Sequence, residues 1–488
     1  MKEGLKLLRP ECIFERNRKN KVNSMKNEFW NEGIDSGKNP ENNSKFDVIV
    51  VGGGPIGSAA ATYSAMQGDR VLLLEKESYP RDKTCGDAVG GKSLKHVEAL
   101  GIKTDLENSP HYRITGVLFT APNENSLRVE RPVIDGKQEL AGYVLPRAQF
   151  DWLMFNRATE VVLQNEGAVI QNFNVKEIIY DDGKGGDDPG PGSGDKRRII
   201  GVKGKTKEGD GTYYGSVTIG AGGVRCPVST SIVEETYQKT MVDNKKEHYS
   251  AAYRQYWKGI KGLNHKEGLI EFHYIKGVIP GYFWIFPLSK DTANVGFGIV
   301  LNELSKHEKK LKGLQDYIIN EKMPERFKDA ELMEGSSKGW QLPLGSPRKG
   351  EGLQPRRLFA NGAMVVGDAG SLVDPFSGEG IANGFLSAKM AIDHFNREEH
   401  SEGFPLEEGK KYQKDLWDTL GHELTNSYNI QRLMSWPFSK GWLINMIINK
   451  ARNKPELQRV LSDCLVSPEA QKKITSMRFL ARQLLWPF

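Results

Sequence analysis

The residues best placed by type and spacing to do chemistry come early in the chain. Gly52-Gly53-Gly54-Pro55-Ile56-Gly57 reads as G-x-G-x-x-G, and Glu75 follows roughly 20 residues on. In such a turn Gly52 permits the tight bend, Gly54 lets backbone approach a pyrophosphate, and Gly57 lets helix and strand touch. The helix N-terminus offers free N–H groups and positive dipole to phosphates, and Glu75 can accept hydrogen bonds from a ribose diol. The chemistry implied is the binding of a dinucleotide cofactor, and the motif alone does not separate FAD from NAD. A second pattern lies far along the chain. Tyr282, Trp284 and Phe286 alternate, so all three rings fall on one face of a strand. That face suits either an apolar tunnel or an aromatic core strand.

These groups need elements to hold them. Phe46–Val51 reads as a buried parallel strand, Ser58–Met66 as an alanine-rich helix, and Val71–Leu74 as a second strand ending in Glu75. Farther on, an extended piece ends at Arg147 and a helix begins. Its guanidinium can face a pyrophosphate or a flavin edge, or simply be solvated. Val217–Gly220 is a strand entering another glycine turn. Ala363–Val366 is a strand with Asp368 beyond its end, and a helix opens near Gly380. A strand-end aspartate can bond a ribityl hydroxyl, and N–H groups near Gly380 suit a flavin's pyrimidine oxygen. Three such turns in this order favour FAD. No second G-x-G-x-x-G for a nicotinamide cofactor is present.

In this order the segments resemble the FAD-dependent oxidoreductases typified by p-hydroxybenzoate hydroxylase. Two segments resemble the geranylgeranyl reductases in particular: Cys85-Gly86-Asp87-Ala88-Val89-Gly90-Gly91-Lys92, and Pro280-Gly281-Tyr282-Phe283-Trp284-Ile285-Phe286-Pro287, which carries Y-x-W-x-F-P. The resemblance covers about residues 45–396. It implies FAD held by Gly52, Gly54, Gly57 and Glu75, with Cys85, Gly86 and Ala88 beside the flavin. It further implies Arg147 near the pyrophosphate, a Val175 backbone contact to adenine, Asp368 at the ribityl chain, and Gly380 and Ile381 as donors to the ring. Tyr282, Trp284 and Phe286 would line the path of an isoprenoid chain.

The implied reaction is saturation of isolated C=C bonds in geranylgeranyl chains, in archaeal-type membrane lipids. Hydride from reduced flavin would reach one carbon and a proton the other. Cys85 is either the proton donor or a buried cysteine that only shapes the pocket. An external donor such as NADPH or a ferredoxin would supply electrons. A flavin monooxygenase of an apolar substrate and an electron-transfer flavoprotein are the alternatives.

The implied fold is α/β. A Rossmann-type FAD-binding domain is assembled from residues 45–105, 140–235 and 350–396. A mostly antiparallel substrate domain takes 106–139 and 236–349, and a helical C-terminal region 397–488. Residues 1–44, polar and rich in Asn and Lys, read as a poorly ordered extension. Asp181–Arg198 reads as a solvated loop between the strands Val175–Tyr180 and Ile199–Val202.

Whole-chain properties bound this reading. A length of 488 residues allows two or three domains. A formal charge of +6 with no dense basic stripe argues against a nucleic-acid partner. The four cysteines, Cys12, Cys85, Cys226 and Cys464, have no metal spacing, so no metal is expected. Their scatter fits a reducing cytoplasm. The N-terminus has no apolar signal region, and no stretch reaches the length of a membrane span. Trp436–Phe438, Trp442–Ile448 with Lys440, Lys450 and Arg452 nearby, and Phe479–Phe488 have the composition of interfacial segments. They suggest a peripheral protein at the inner face of the membrane, or else a helical closure of the substrate domain.

Overall fold

The computed structural model describes residues 33–488, apart from 182–196, 208, 238–245, 264–267, 349–355, 436–440 and most of 464–488. The fold is α/β with two large sheets. In the first, Ala168–Ile170, Val71–Leu74, Lys45–Val51 and Asp210–Gly220 run parallel, and Ala363–Val365 extends this set beside Asp210–Gly220. Val48, Ile49, Val50 and Leu72 are wholly buried, as expected for strands covered on both faces. Arg198–Lys205 and Asn174–Asp181 continue the sheet antiparallel. The loop between those two strands lies outside the described residues.

The first helix, Pro55–Met66, begins three residues before the sequence suggests. Proline fits a first helical turn because its missing N–H would have no partner there. Ala59, Ala60 and Ala61 are fully buried, and their small side chains let the helix lie close on the sheet. Gly52 bends at a φ of +109°, and a Cβ there would sit 2.7 Å from the backbone of Ala221. A Cβ at Gly57 would lie 1.7 Å from the Gly52 carbonyl oxygen. Both positions therefore exclude any side chain.

The second sheet runs Glu331–Leu332, Tyr249–Lys258, Thr292–Val300, Tyr282–Pro287, Leu269–His273, Gly116–Thr120 and Ser126–Glu130, with Lys338–Pro343 also on Tyr249–Lys258. It is antiparallel except where Leu269–His273 meets Gly116–Thr120. Alternation along Tyr282–Pro287 divides its side chains. Phe283 and Ile285 enter a core with Val295, Phe297 and Ile318, while Trp284 and Phe286 pack with Val117 and Ile270 on the other face.

A 30-residue helix, Leu406–Ser435, joins the parts. Tyr412, Leu416, Leu420 and Leu424, four apart, pack on the core of the first sheet. Farther along, Ile430 and Met434 join Leu127, Val129, Leu443, Ile444 and Ile448. Among the described residues no helix is long and apolar enough to cross a membrane. Trp442–Arg452 is a helix whose first residue is 62% exposed, whereas Leu443, Ile444 and Ile448 are buried. Trp436–Phe438 and most of Phe479–Phe488 lie outside the described residues.

The N-terminal stretch differs from the expected loose extension over its last residues. Ile34 is buried, and the Gln171 side-chain amide donates to the Ile34 carbonyl and the Ser36 hydroxyl at 2.9 and 2.7 Å. One apolar side chain and a partly buried amide tie down residues that the polar composition leaves unassigned.

Candidate functional site

One cavity of about 1270 Å³ opens between the two sheets. Every cofactor- or substrate-site residue named from the sequence lines it except Gly57, which faces the first strand. The polar end is the glycine turn. Glu75 accepts hydrogen bonds from the N–H groups of Gly53 and Glu77 at 2.8 and 3.0 Å. Tyr79 donates its hydroxyl to the Gly53 carbonyl, and its ring lies under the Arg81 guanidinium at 4.9 Å. Arg81 bonds Asp151 at 3.0 Å and lies 3.6 Å from Glu75. Its Nε is buried without a partner. Bare glycines, an acidic residue at the second strand and an unpartnered guanidinium N–H form a cradle that fits a dinucleotide.

Arg147 is more constrained than its sequence context suggests. It is buried and bonds Asp151 through Nε and Nη2 at 2.6 and 3.0 Å. Its charge also acts on Cys85. Asp151, one helical turn along, fixes the arginine in the interior instead of leaving it in solvent. Val175, nearly buried, borders the cavity beside Phe173. Asp368 sits 3.2 Å from Lys83, whose ammonium lies over the Trp340 ring. The helix Ile381–Asp393 starts directly after Gly380, so its first N–H groups lie at the cavity edge.

The Cys85 loop is held from several sides. Asp87, fully buried, adopts a φ of +67°, where aspartate is among the better tolerated non-glycine residues. It accepts from the Tyr256 hydroxyl at 2.6 Å and the Arg147 N–H at 3.2 Å. Asn294 donates to the Cys85 carbonyl and accepts from the Trp284 indole N–H, each at 2.8 Å. A Cβ at Gly86 would lie 2.9 Å from the Phe286 ring, so glycine lets the loop meet the aromatic strand. The Tyr282, Trp284 and Phe286 rings follow one another at 6.2 Å, and Phe272 bridges Tyr282 and Phe286 edge-on. A Cβ at Gly296 would meet the Trp284 ring at 2.4 Å, so the bare strand beneath leaves room for the indole. Beyond this wall the cavity becomes aliphatic, bordered by Ile430, Met434, Leu443, Ile444 and Ile447.

Two carboxyl groups here are held above the ordinary range. Burial pushes Asp87 up to about 6, against the opposing charge of Arg254 and hydrogen bonds from Tyr256 and Asn294. Burial also pushes Glu379 up to about 7, with Asp374 and Glu423 adding to the shift and Lys92 opposing it. The site thus joins a glycine turn, a thiol, protonatable carboxyls and an aromatic-to-aliphatic channel.

Family comparisons agree with this arrangement. Residues 45–174 match an FAD binding domain, and residues 236–337 match the geranylgeranyl reductase catalytic domain. Over these residues the chain is similar to the geranylgeranyl reductases, and it is an FAD-dependent oxidoreductase. Its similar relatives include a digeranylgeranylglycerophospholipid reductase of Methanosarcina mazei, 28% identical over 78% of this chain and 83% of the relative. A menaquinone reductase of Mycolicibacterium smegmatis is 26% identical, covering 72% of this chain and 76% of the relative. Among solved structures, a geranylgeranyl bacteriochlorophyll reductase-like protein from Thermoplasma acidophilum superposes with a TM-score of 0.66 at 19% identity, covering 88% of this chain and 98% of that one. A flavin-dependent brominase gives 0.63 at 18% identity, covering 88% and 97%. At such identities these structures share the fold alone.

Arg81, Lys83, Asp87, Tyr256, Asn294 and Glu379 border or brace the cavity without having been singled out by type and spacing in the sequence. Asp87 and Glu379 sit inside segments already singled out, and burial gives them their properties. Asn294 and Tyr256 come from neighbouring strands and enter through cross-strand register, with Asn294 opposite Phe286.

Proposed function

We propose that the protein saturates C=C bonds of geranylgeranyl chains in archaeal-type membrane lipids. The observation that carries this reading is the single cavity shared by the glycine turn, the Cys85 loop and the aromatic strand. Gly52, Gly54 and Gly57 would shape the pyrophosphate turn, Glu75 would hold the ribose, and Val175 would meet the adenine through its backbone. Asp368 would hold the ribityl chain, and Gly380 and Ile381 would donate to the flavin ring. Cys85, Gly86 and Ala88 would border that ring, with Arg147 holding the thiol in place. When bound and reduced, FAD supplies the hydride.

The chain's own residues do the rest. Tyr282, Trp284 and Phe286 exclude water and guide the isoprenoid. Positive charge developing at the tertiary carbon of a trisubstituted alkene would be stabilised by the Tyr282 and Trp284 faces. The Cys85 thiol gives the proton, its loop held still by Asp87 and Asn294. The Leu443, Ile444 and Ile447 face accommodates more of the chain, while exposed Trp442 with Lys450 and Arg452 would rest at the inner face of the membrane. Electrons would come from an external carrier, NADPH or a ferredoxin-like protein.

The test is anaerobic mixing of dithionite-reduced holoprotein with a geranylgeranyl phospholipid. Return of the oxidised flavin absorbance supports the reading. Return only with oxygen indicates a monooxygenase, and return only with an acceptor protein or quinone indicates an electron carrier. Menaquinone, offered in parallel, tests the substrate suggested by the M. smegmatis relative.

A further inference from the structure

Saturating several double bonds in one apolar cavity requires a proton for each bond, at a place from which bulk water is excluded. Resting on the reductase reading above, we propose that Glu379 is the cavity's internal proton store, reloading Cys85 between successive reductions.

The geometry sets Glu379 apart from the carboxylates around it. It borders the cavity in the loop before the helix Ile381–Asp393 and is only partly covered. Among the described residues its carboxyl takes no hydrogen bond or ion pair. Asp374, in the same loop, is engaged by the N–H groups of Phe376 and Ser377 and by the Ser377 hydroxyl. Glu423, on the long helix Leu406–Ser435, takes the ammonium of Lys92 at 2.6 Å. Lys92 is therefore already paired and makes no ion pair with Glu379 among the described residues, although its charge still opposes the shift. From the facing strand, the Tyr282 hydroxyl donates to the Ser377 carbonyl of the Glu379 loop. Tyr282, Cys85 and Glu379 line the same cavity, and the charges of both Cys85 and Glu379 act on that phenol. Burial beside Asp374 and Glu423 keeps the Glu379 carboxyl protonated up to about 7, as a store must be.

The proton balance is closed. As the hydride reaches one alkene carbon, the Cys85 S–H bond breaks and a C–H bond forms at the other. The thiolate then takes the Glu379 proton, directly or through a water. Glu379 carboxylate recovers a proton from solvent past the Lys92–Glu423 pair. No electrons move in the reloading steps.

The experiment follows stepwise mass gain of a geranylgeranyl phospholipid on the reduced, flavin-loaded wild type and Glu379→Gln. In the variant the second and later gains should slow roughly 100-fold more than the first. The fall of the wild-type later steps as pH rises through about 7 should also disappear. Infrared titration of both proteins without lipid should show a carboxylic acid band lost near that pH in wild type and missing from the variant. Equal slowing of all steps, or an unchanged pH profile, overturns the proposal. If Glu379→Gln loses flavin, Glu423→Gln serves. Freeing Lys92 to pair with Glu379 should move the pH fall to lower values, and an unmoved fall overturns the proposal. Failure of wild type to reduce any lipid sinks the reductase reading instead, while the infrared titration still decides Glu379.

Discussion

Asp87 allows a direct test of the electrostatics around the cysteine loop. Its carboxyl is fully buried and has a folded-state value of about 6 against an ordinary 3.8. The native state therefore holds this proton more tightly than the unfolded chain. The group's stability contribution is fully present below 3.8 and is lost as pH rises through about 6. At about 1.36 kcal/mol per tenfold change in proton affinity, the full loss between 3.8 and about 6 is about 3 kcal/mol. Of this, about 2 kcal/mol falls between about pH 4.5 and about pH 7.5. Asp87→Asn removes the titration while keeping the side chain's shape, its acceptor for the Arg147 N–H, and tolerance of the positive φ. Urea unfolding of full-length wild type and variant at the two pH values isolates the effect, because every other titrating group is common to both. The variant should gain about 2 kcal/mol relative to wild type on going to the higher pH. Parallel pH dependences would refute the buried, proton-retaining environment assigned to Asp87.

Other substitutions probe the remaining parts. Gly57→Ala sets a methyl group 1.7 Å from the Gly52 oxygen, so the turn must open. The protein should purify without flavin absorbance and lose at least about 1–3 kcal/mol in denaturant unfolding. Trp284→Phe keeps most of the ring packing but leaves Asn294 without the indole N–H, costing about 1–3 kcal/mol, whereas Trp284→Ala should cost about 3–5. Calorimetry of the pair separates hydrogen bond from packing. Cys85→Ser should retain FAD in its visible spectrum and lose about 100-fold or more in lipid reduction, and near-wild-type turnover would remove the thiol from the chemistry.

Much of the fold could be read from the sequence because its signals are local. The buried strands Lys45–Val51 and Val71–Leu74 declare themselves as apolar runs, and Gly52 and Gly57 occupy positions where a Cβ cannot fit. Alternation at Tyr282, Trp284 and Phe286 foretold a shared face, since strand periodicity needs no tertiary information. What escaped depends on neighbours distant in sequence. The Arg147 guanidinium is held in the interior by Asp151 and the packing around it. Asp87 gains its proton affinity from burial under Tyr256, 169 residues away. Among the described residues Glu379 has no ion pair, and Lys92 is taken by Glu423, a pairing that forms only when the long C-terminal helix docks. The packing of Ile34 was equally invisible in a polar stretch.

The central claim is that this cavity brings reduced flavin and an isoprenoid chain together for C=C reduction. Its most direct test is mass spectrometry of a geranylgeranyl phospholipid incubated anaerobically with the dithionite-reduced holoprotein. The account predicts mass gains in steps of two hydrogens that require bound FAD. Lipid demonstrably bound to flavin-loaded protein, yet unchanged in mass, would contradict it.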